Sequence, residues 1–126
     1  LNNLTTKEIK TFIPAKNFTE SKQFYLNMGF VMASDSDGIA YFHHDNSSFL
    51  LQDFYDKAHA ENMMMHLLVE DAHAWHRHIR QTGIVETFKV KISDVIEQPW
   101  GMLDFVISDP SGVLWRIGQN IEPSSL

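Results

Sequence analysis

PWGMLDFVISDPSGVLWRI, residues 99–117, reads as two β-strands joined at DPSG. Apolar residues alternate on both sides of the turn formers, Asp109 is placed to cap a type I turn, Pro110 suits its second position and Gly112 its exit. In the returning strand Arg116 shares a face with Leu114 and Gly112, so the hairpin aims one arginine at whatever that face lines. Two readings of it stand open: it recognises oxygen atoms of a ligand, or it makes a buried ion pair with Asp104 or Glu70.

Working outward, ETFKVKI (86–92) reads as a further strand beside the hairpin, with SDVIEQPWG (93–101) as the irregular connection between them. Before it, DAHAWHRHIRQT (71–82) switches to helical period, with Trp75, His78 and Ile79 on one face and Gly83 where the helix ends. MMMHLLV (63–69) is a strand. The order is strand, helix, three strands, and residues 8–52 repeat it. EIKTFIPA (8–15) is a strand ended by Pro14. FTESKQFYLNMG (18–29) is a helix with Ser21, Phe24, Tyr25 and Met28 in one stripe, Thr19 as N-cap and Gly29 as stop. Strands at 30–34, 39–44 and 48–52 follow, separated by DSDG and DNS.

The repeat can be aligned residue by residue. A shift of 54 lays Ala15 on Val69, Asn17 on Asp71, Tyr25 on Ile79 and Gly29 on Gly83, and a later shift of 64 lays Asp45 on Asp109 and Gln52 on Arg116. The expected fold is α+β, a single domain over 1–126 built of two βαβββ modules, 8–52 and 63–118, with a connector at 53–62 and a C-terminal tail at 119–126. Neither module has much core alone.

Composition narrows the chemistry. A net charge of −6 disfavours phosphate backbones and anionic membrane surfaces, so neither nucleic acid nor membrane is an expected partner. No apolar run approaches the roughly 20 residues that span a bilayer, and LNNLTTKEIK has no signal-peptide core, so export is not expected. The absence of cysteine removes disulfides, thiolate catalysis and cysteine-based zinc sites, and fits a cytoplasmic location. GxSxG, P-loop and HExxH patterns are all absent.

FIPAKNFTESKQFYLNMGF, EDAHAW and PWGMLDFVISDPSGVLWRI, in this order and spacing, resemble the vicinal-oxygen-chelate superfamily of glyoxalases, fosfomycin-resistance enzymes, extradiol dioxygenases and bleomycin-resistance proteins. The resemblance covers roughly residues 8–118 and implies mixed sheets that curl around a cavity. In metal-dependent members, four ligands converge on one divalent ion. The resemblance places those positions at Lys10, Gln52, Met64 and Arg116. The repeat pairs the same four, since 10 and 64 differ by 54 and 52 and 116 by 64. Arginine has no acceptor, lysine would have to lose a proton, methionine prefers soft ions, and only Gln52 offers an ordinary oxygen. No metal site and no cofactor is therefore expected.

What remains is an apolar cavity with polar points. Phe12, Leu50 and Met64, with Trp100, can exclude water, while Arg116, Lys10 and Gln52 can orient a carboxylate, carbonyl or phosphate. His66 shares a face with Met64 and Leu68, and reads either as a hydrogen-bonded structural histidine or as a ligand contact and weak catalytic candidate. His73, His76 and His78 read as a solvated helix face, and adjacent His43 and His44 point to opposite sides of their strand. Asp109 and Asp45 read as turn caps. The preferred function is a metal-independent small-molecule-binding or drug-resistance-like protein that forms a homodimer. The alternatives are a lyase, isomerase or dioxygenase using a non-standard site, and a structural homodimer without ligand-dependent activity.

Overall fold

The computed structural model describes residues 2–121. β1 (Phe12–Pro14) leads into α1 (Phe18–Met28) and then β2 (Val31–Ser36), β3 (Ile39–His44) and β4 (Ser47–Gln52). After a short α2 (Lys57–Glu61) the order restarts with β5 (Met64–Leu68), α3 (Ala72–Gln81), α4 (Ile84–Phe88), β6 (Ile96–Gln98), β7 (Met102–Ser108) and β8 (Leu114–Asn120). The strands form two four-stranded mixed sheets, β1-β4-β3-β2 and β5-β8-β7-β6, in which the first strand of each half runs parallel to the last. These are the two βαβββ modules. Among the described residues no helix is long and apolar enough to cross a membrane.

The 54-residue repeat is visible in the capping chemistry. Asn17 and Asp71 each accept, at 3.0 Å, the amide three residues on, and so close the first turns of α1 and α3. The cap of α1 is thus Asn17, not Thr19, because only a residue still in extended conformation can turn its side chain back onto the free amides. Gly29 and Gly83 both take a left-handed φ, +114° and +75°, which a side chain would strain.

One core serves both halves. Ser21, Phe24, Tyr25 and Met28 bury one face of α1 against β3 and β4. Trp115 of β8 enters the same aromatic nest, with ring centroids 5.4 Å from Phe49, 5.6 Å from Tyr25 and 5.8 Å from Phe30. Each half therefore completes the other's core.

Four expectations change. Residues 86–92 are not a strand: Gly83 restarts the chain as α4, whose Ile84 is buried and whose Phe88 meets Phe24 edge-to-face at 5.4 Å. The i, i+4 spacing of these two residues lets one short helical turn cover α1, and that packing outweighs the β propensity of the segment. The strand that takes its place in the second sheet is β6, within the stretch read as a connection, where Ile96–Gln98 pairs with Met102–Asp104. β1 is only three residues long and begins after Lys10. The C-terminal tail also starts later than expected, since Gln119 and Asn120 continue β8, and residues 122–126 lie outside the described part.

Candidate functional site

Strand alternation gives each sheet one face toward the core and one open face. On the first sheet Ile13, Phe42, Phe49 and Leu51 point inward. Phe12, Tyr41, His43, Ser48, Leu50 and Gln52 occupy the open side. On the second sheet Leu67, Ile107, Trp115 and Ile117 are buried. Met64, His66, Leu68, Asp104, Arg116 and Gly118 share the other side. Six of the seven expected ligand residues thus lie on open faces, and Lys10 stands just outside β1.

The ladders refine the pairing of the halves. Ala15 N–H donates to Gln52 O at 2.9 Å, and its repeat partner Val69 donates to Gly118 O at 2.8 Å. Gln52 is therefore level with Gly118, while Arg116 is level with Leu50, through the pairs Phe12–Leu50 and His66–Arg116. The correct offset in the last strand is 66 (118 − 52), two more than the sequence shift. The turn before the last strand is also longer in the second half: β3 and β4 are joined by Asp45 and Asn46 alone, β7 and β8 by residues 109–113. An even slip preserves the face, so Gln52 still looks outward, but one pleat from the place the resemblance assigns.

Arg116 is paired. Its Nη1 donates to Asp104 Oδ2 at 2.7 Å, and Gln98 Nε2 donates to Asp104 Oδ1 at 2.9 Å. Asp104 is 1% exposed and Arg116 27%, so the carboxylate depends on this partner while the guanidinium keeps an open edge. Of the two acids the sequence offered, Asp104 is chosen because it stands diagonally across β7–β8 on the same face, within reach of a long side chain. Lys10 is also matched, 3.4 Å from Glu8 and 4.6 Å from the centre of the Tyr41 ring. Glu8 accepts from the hydroxyls of Tyr41 (3.0 Å) and Ser48 (2.5 Å), which pull its carboxyl below the ordinary range. Since both hydroxyls belong to the open face, the arm before β1 crosses the first sheet.

His66 lines a groove of about 470 Å³ between this arm, the start of β4 and β5, together with Glu8, Ser48 and Leu68. Phe12, Leu50, Gln52, Lys10, Met64 and Arg116 lie outside that groove. Gly118 brings His66 close to β7: a Cβ there would meet Met102 Cε at 2.9 Å, and Asp104 Cβ and His66 Nε2 at 3.4 Å. Glu8, Gln98, Met102 and Gly118 are site-face residues that composition and motif did not signal. Their roles come from register. Two of the three α3 histidines are ties and not part of a solvated face, because His76 Nε2 meets Ser93 O at 3.0 Å and His78 Nε2 meets Met28 O at 2.9 Å, while His73 is exposed as expected.

A divalent ion does not fit these residues. Arg116 is positive and paired, Leu50 has no donor, Met64 is a thioether and Lys10 is an ammonium beside Glu8. Among the described residues no group of three His, Asp or Glu could hold a metal.

Asp109 does more than cap its turn. Oδ1 accepts the amides of Ser111 (2.8 Å) and Val113 (2.9 Å), and Oδ2 accepts the hydroxyl of Tyr25, which in turn accepts Trp115 Nε1–H at 2.9 Å. Burial pushes the Asp109 carboxyl above its ordinary range, against the pull of its hydrogen bonds. A raised acid binds its proton more tightly folded than unfolded, so its share of stability is full below the unfolded pKa of about 3.9 and is lost as pH rises through the folded value. The stability of wild type minus that of Asp109→Asn should therefore shrink from pH 4 to pH 7 in urea unfolding. A difference that is flat or grows with pH would contradict this assignment.

A model of the Glyoxalase/Bleomycin resistance protein/Dioxygenase superfamily matches residues 8–117. Among solved structures, a bleomycin-binding protein complexed with bleomycin shares 24% identity at TM-score 0.78, over 91% of this chain and 99% of that one. A bleomycin resistance determinant encoded on transposon Tn5 shares 20% at TM-score 0.77, over 91% and 98%. TnmS3, an antibiotic binding protein from Streptomyces sp. CB03234, shares 19% at TM-score 0.75, over 94% and 99%. At these identities the likeness is one of fold. Comparison with curated protein sequences gives no match.

Proposed function

This chain belongs to the Glyoxalase/Bleomycin resistance protein/Dioxygenase superfamily, and we propose that within it the protein is a metal-independent small-molecule-binding member of the drug-resistance type. The observation that carries this reading is the chemistry of the open faces. Phe12, Met64 and Leu68 on these faces, with Trp100 in the turn after β6, are 47–62% exposed, and the cations Arg116, on the second sheet, and Lys10, on the arm before β1, are already balanced by Asp104 and Glu8. Such faces suit a large, partly aromatic ligand that is neutral or cationic and presents carbonyl or amide oxygens to the free edge of Arg116. A carboxylate or phosphate, admitted by the sequence reading, is the poorer match because neither positive charge is unspent. Bleomycin and an antibiotic are what the structures above are named for binding, which supports this class.

In this reading the ligand is held on the open faces, by Phe12, Leu50 and Gln52 of the first sheet and Met64, His66 and Arg116 of the second, with Lys10 on the arm that crosses the first sheet. A homodimer accompanies the reading: exposed apolar residues concentrated on two sheet faces call for a covering surface, and a second copy supplies one. The charge of −6 supports a protein without nucleic-acid or membrane partners, and the lack of cysteine fits a cytoplasmic one.

Calorimetry of bleomycin-like glycopeptides against glutathione adducts and aromatic diols tests the binding class. Saturable binding of the first, weakened several-fold by His66→Ala or Phe12→Ala, is expected. Turnover of a glutathione adduct, or binding that requires added zinc or manganese, would overturn the reading in favour of an enzyme. Sedimentation that shows only monomer at micromolar concentration would remove the dimer.

A further inference from the structure

Lys10, Lys22 and Arg116 each sit within 3.4 Å of a carboxylate, but another set of cations does not. Lys16, Lys89 and Lys91 line a concavity of about 530 Å³ at the β7–β8 turn, where the chain after β1, the end of α4 and residues 108–112 converge. Three of the chain's seven lysines thus share one hollow in a protein of net charge −6. None of the three has a carboxylate partner among the described residues. Two acids border it. Asp109 is buried with both oxygens committed to Tyr25 and the turn amides, which leaves exposed Glu61 as the free counter-charge.

The lysines rise from fixed backbone. Lys16 N–H donates to Ser111 Oγ at 2.9 Å, and Lys91 N–H to Ser108 Oγ at 3.3 Å, with Ser108 N–H returning to Lys91 O at 3.1 Å. Lys89 is held at φ +55° at the end of α4, its amide bonded to Val85 O. Lys16 Nζ also lies 5.6 Å from the Tyr55 ring centre, which biases it toward the hollow. A concave wall in which one sign predominates focuses the field and raises the local concentration of the opposite ion, and ammonium groups meet phosphate oxygens as point charges.

We propose that this hollow binds a small, multiply charged anion, a phosphate ester or polycarboxylate, at a site separate from the sheet faces. Pyrophosphate titrated by calorimetry at constant ionic strength is the probe. Saturable binding is expected, weakened at least about tenfold by the double variant Lys16→Gln/Lys91→Gln, in keeping with the loss of two charge-assisted hydrogen bonds. Glu61→Gln should tighten it. The double variant Arg77→Gln/Arg80→Gln removes the same charge from exposed α3 positions and should leave affinity unchanged. Because all four lysine and arginine positions are exposed, melting curves should verify that each variant is folded. Equal weakening by the arginine pair, a failure to saturate, or indifference to Glu61→Gln would show charge screening without a site and overturn the proposal.

Discussion

Tyr25→Phe is expected to lower the stability of the fold by about 2–4 kcal/mol, a large share of what a domain of this size possesses. The lost oxygen leaves two buried groups without partners, Trp115 Nε1–H and Asp109 Oδ2, each of which had only that hydroxyl on its side. Tyr25 lies in α1 of the first half, whereas Asp109 and Trp115 belong to the hairpin of the second, so the substitution strikes the joint between modules. Urea unfolding followed by tryptophan fluorescence and by far-ultraviolet dichroism would measure it. A loss below about 1 kcal/mol would mean that water replaces the hydroxyl and that packing alone joins the halves.

The second large effect concerns Arg116. Of the two readings the sequence leaves open for Arg116, ligand recognition alone would let Arg116→Met fold intact and weaken only an oxygen-bearing ligand. The ion pair changes that expectation: the variant leaves Asp104, 1% exposed, with Gln98 as its remaining partner, and should cost about 1–3 kcal/mol without any ligand present. Asp104→Asn in the same chain should return part of that loss, since an amide tolerates burial better than an unpaired carboxylate. If Arg116→Met and the double variant melt alike and like the wild type, Arg116 is not bound to Asp104 in solution and its charge is available to an anionic ligand. Calorimetry in the double variant then isolates the guanidinium's contact with ligand from its part in folding.

Most of the candidate site's face could be read directly because strand parity is local. Met64, His66 and Arg116 alternate with apolar residues that need burial, and no even slip in register moves them to the other side. Level within the face was not legible. The two-residue turn at Asp45–Asn46 and the five-residue turn after Ser108 both open on Asp with a Ser two residues on, and only the ladder bonds reveal that Leu50, not Gln52, stands opposite Arg116's place.

By itself the sequence determined the duplicated strand–helix–three-strand plan, the buried stripe of α1, the glycines that end α1 and α3, and a set of open-face residues unsuited to a divalent metal. These follow from periodicity, capping and side-chain chemistry, which act over a few residues. The tertiary structure alone decided that residues 84–88 coil against Phe24, that the missing strand is Ile96–Gln98, that Arg116 takes Asp104 and not Glu70, and that Asp109 answers to a tyrosine 84 residues away. In each case several local partners were chemically acceptable, and the choice fell to whichever group the packed core brought within reach while keeping every buried side-chain polar atom among the described residues bonded.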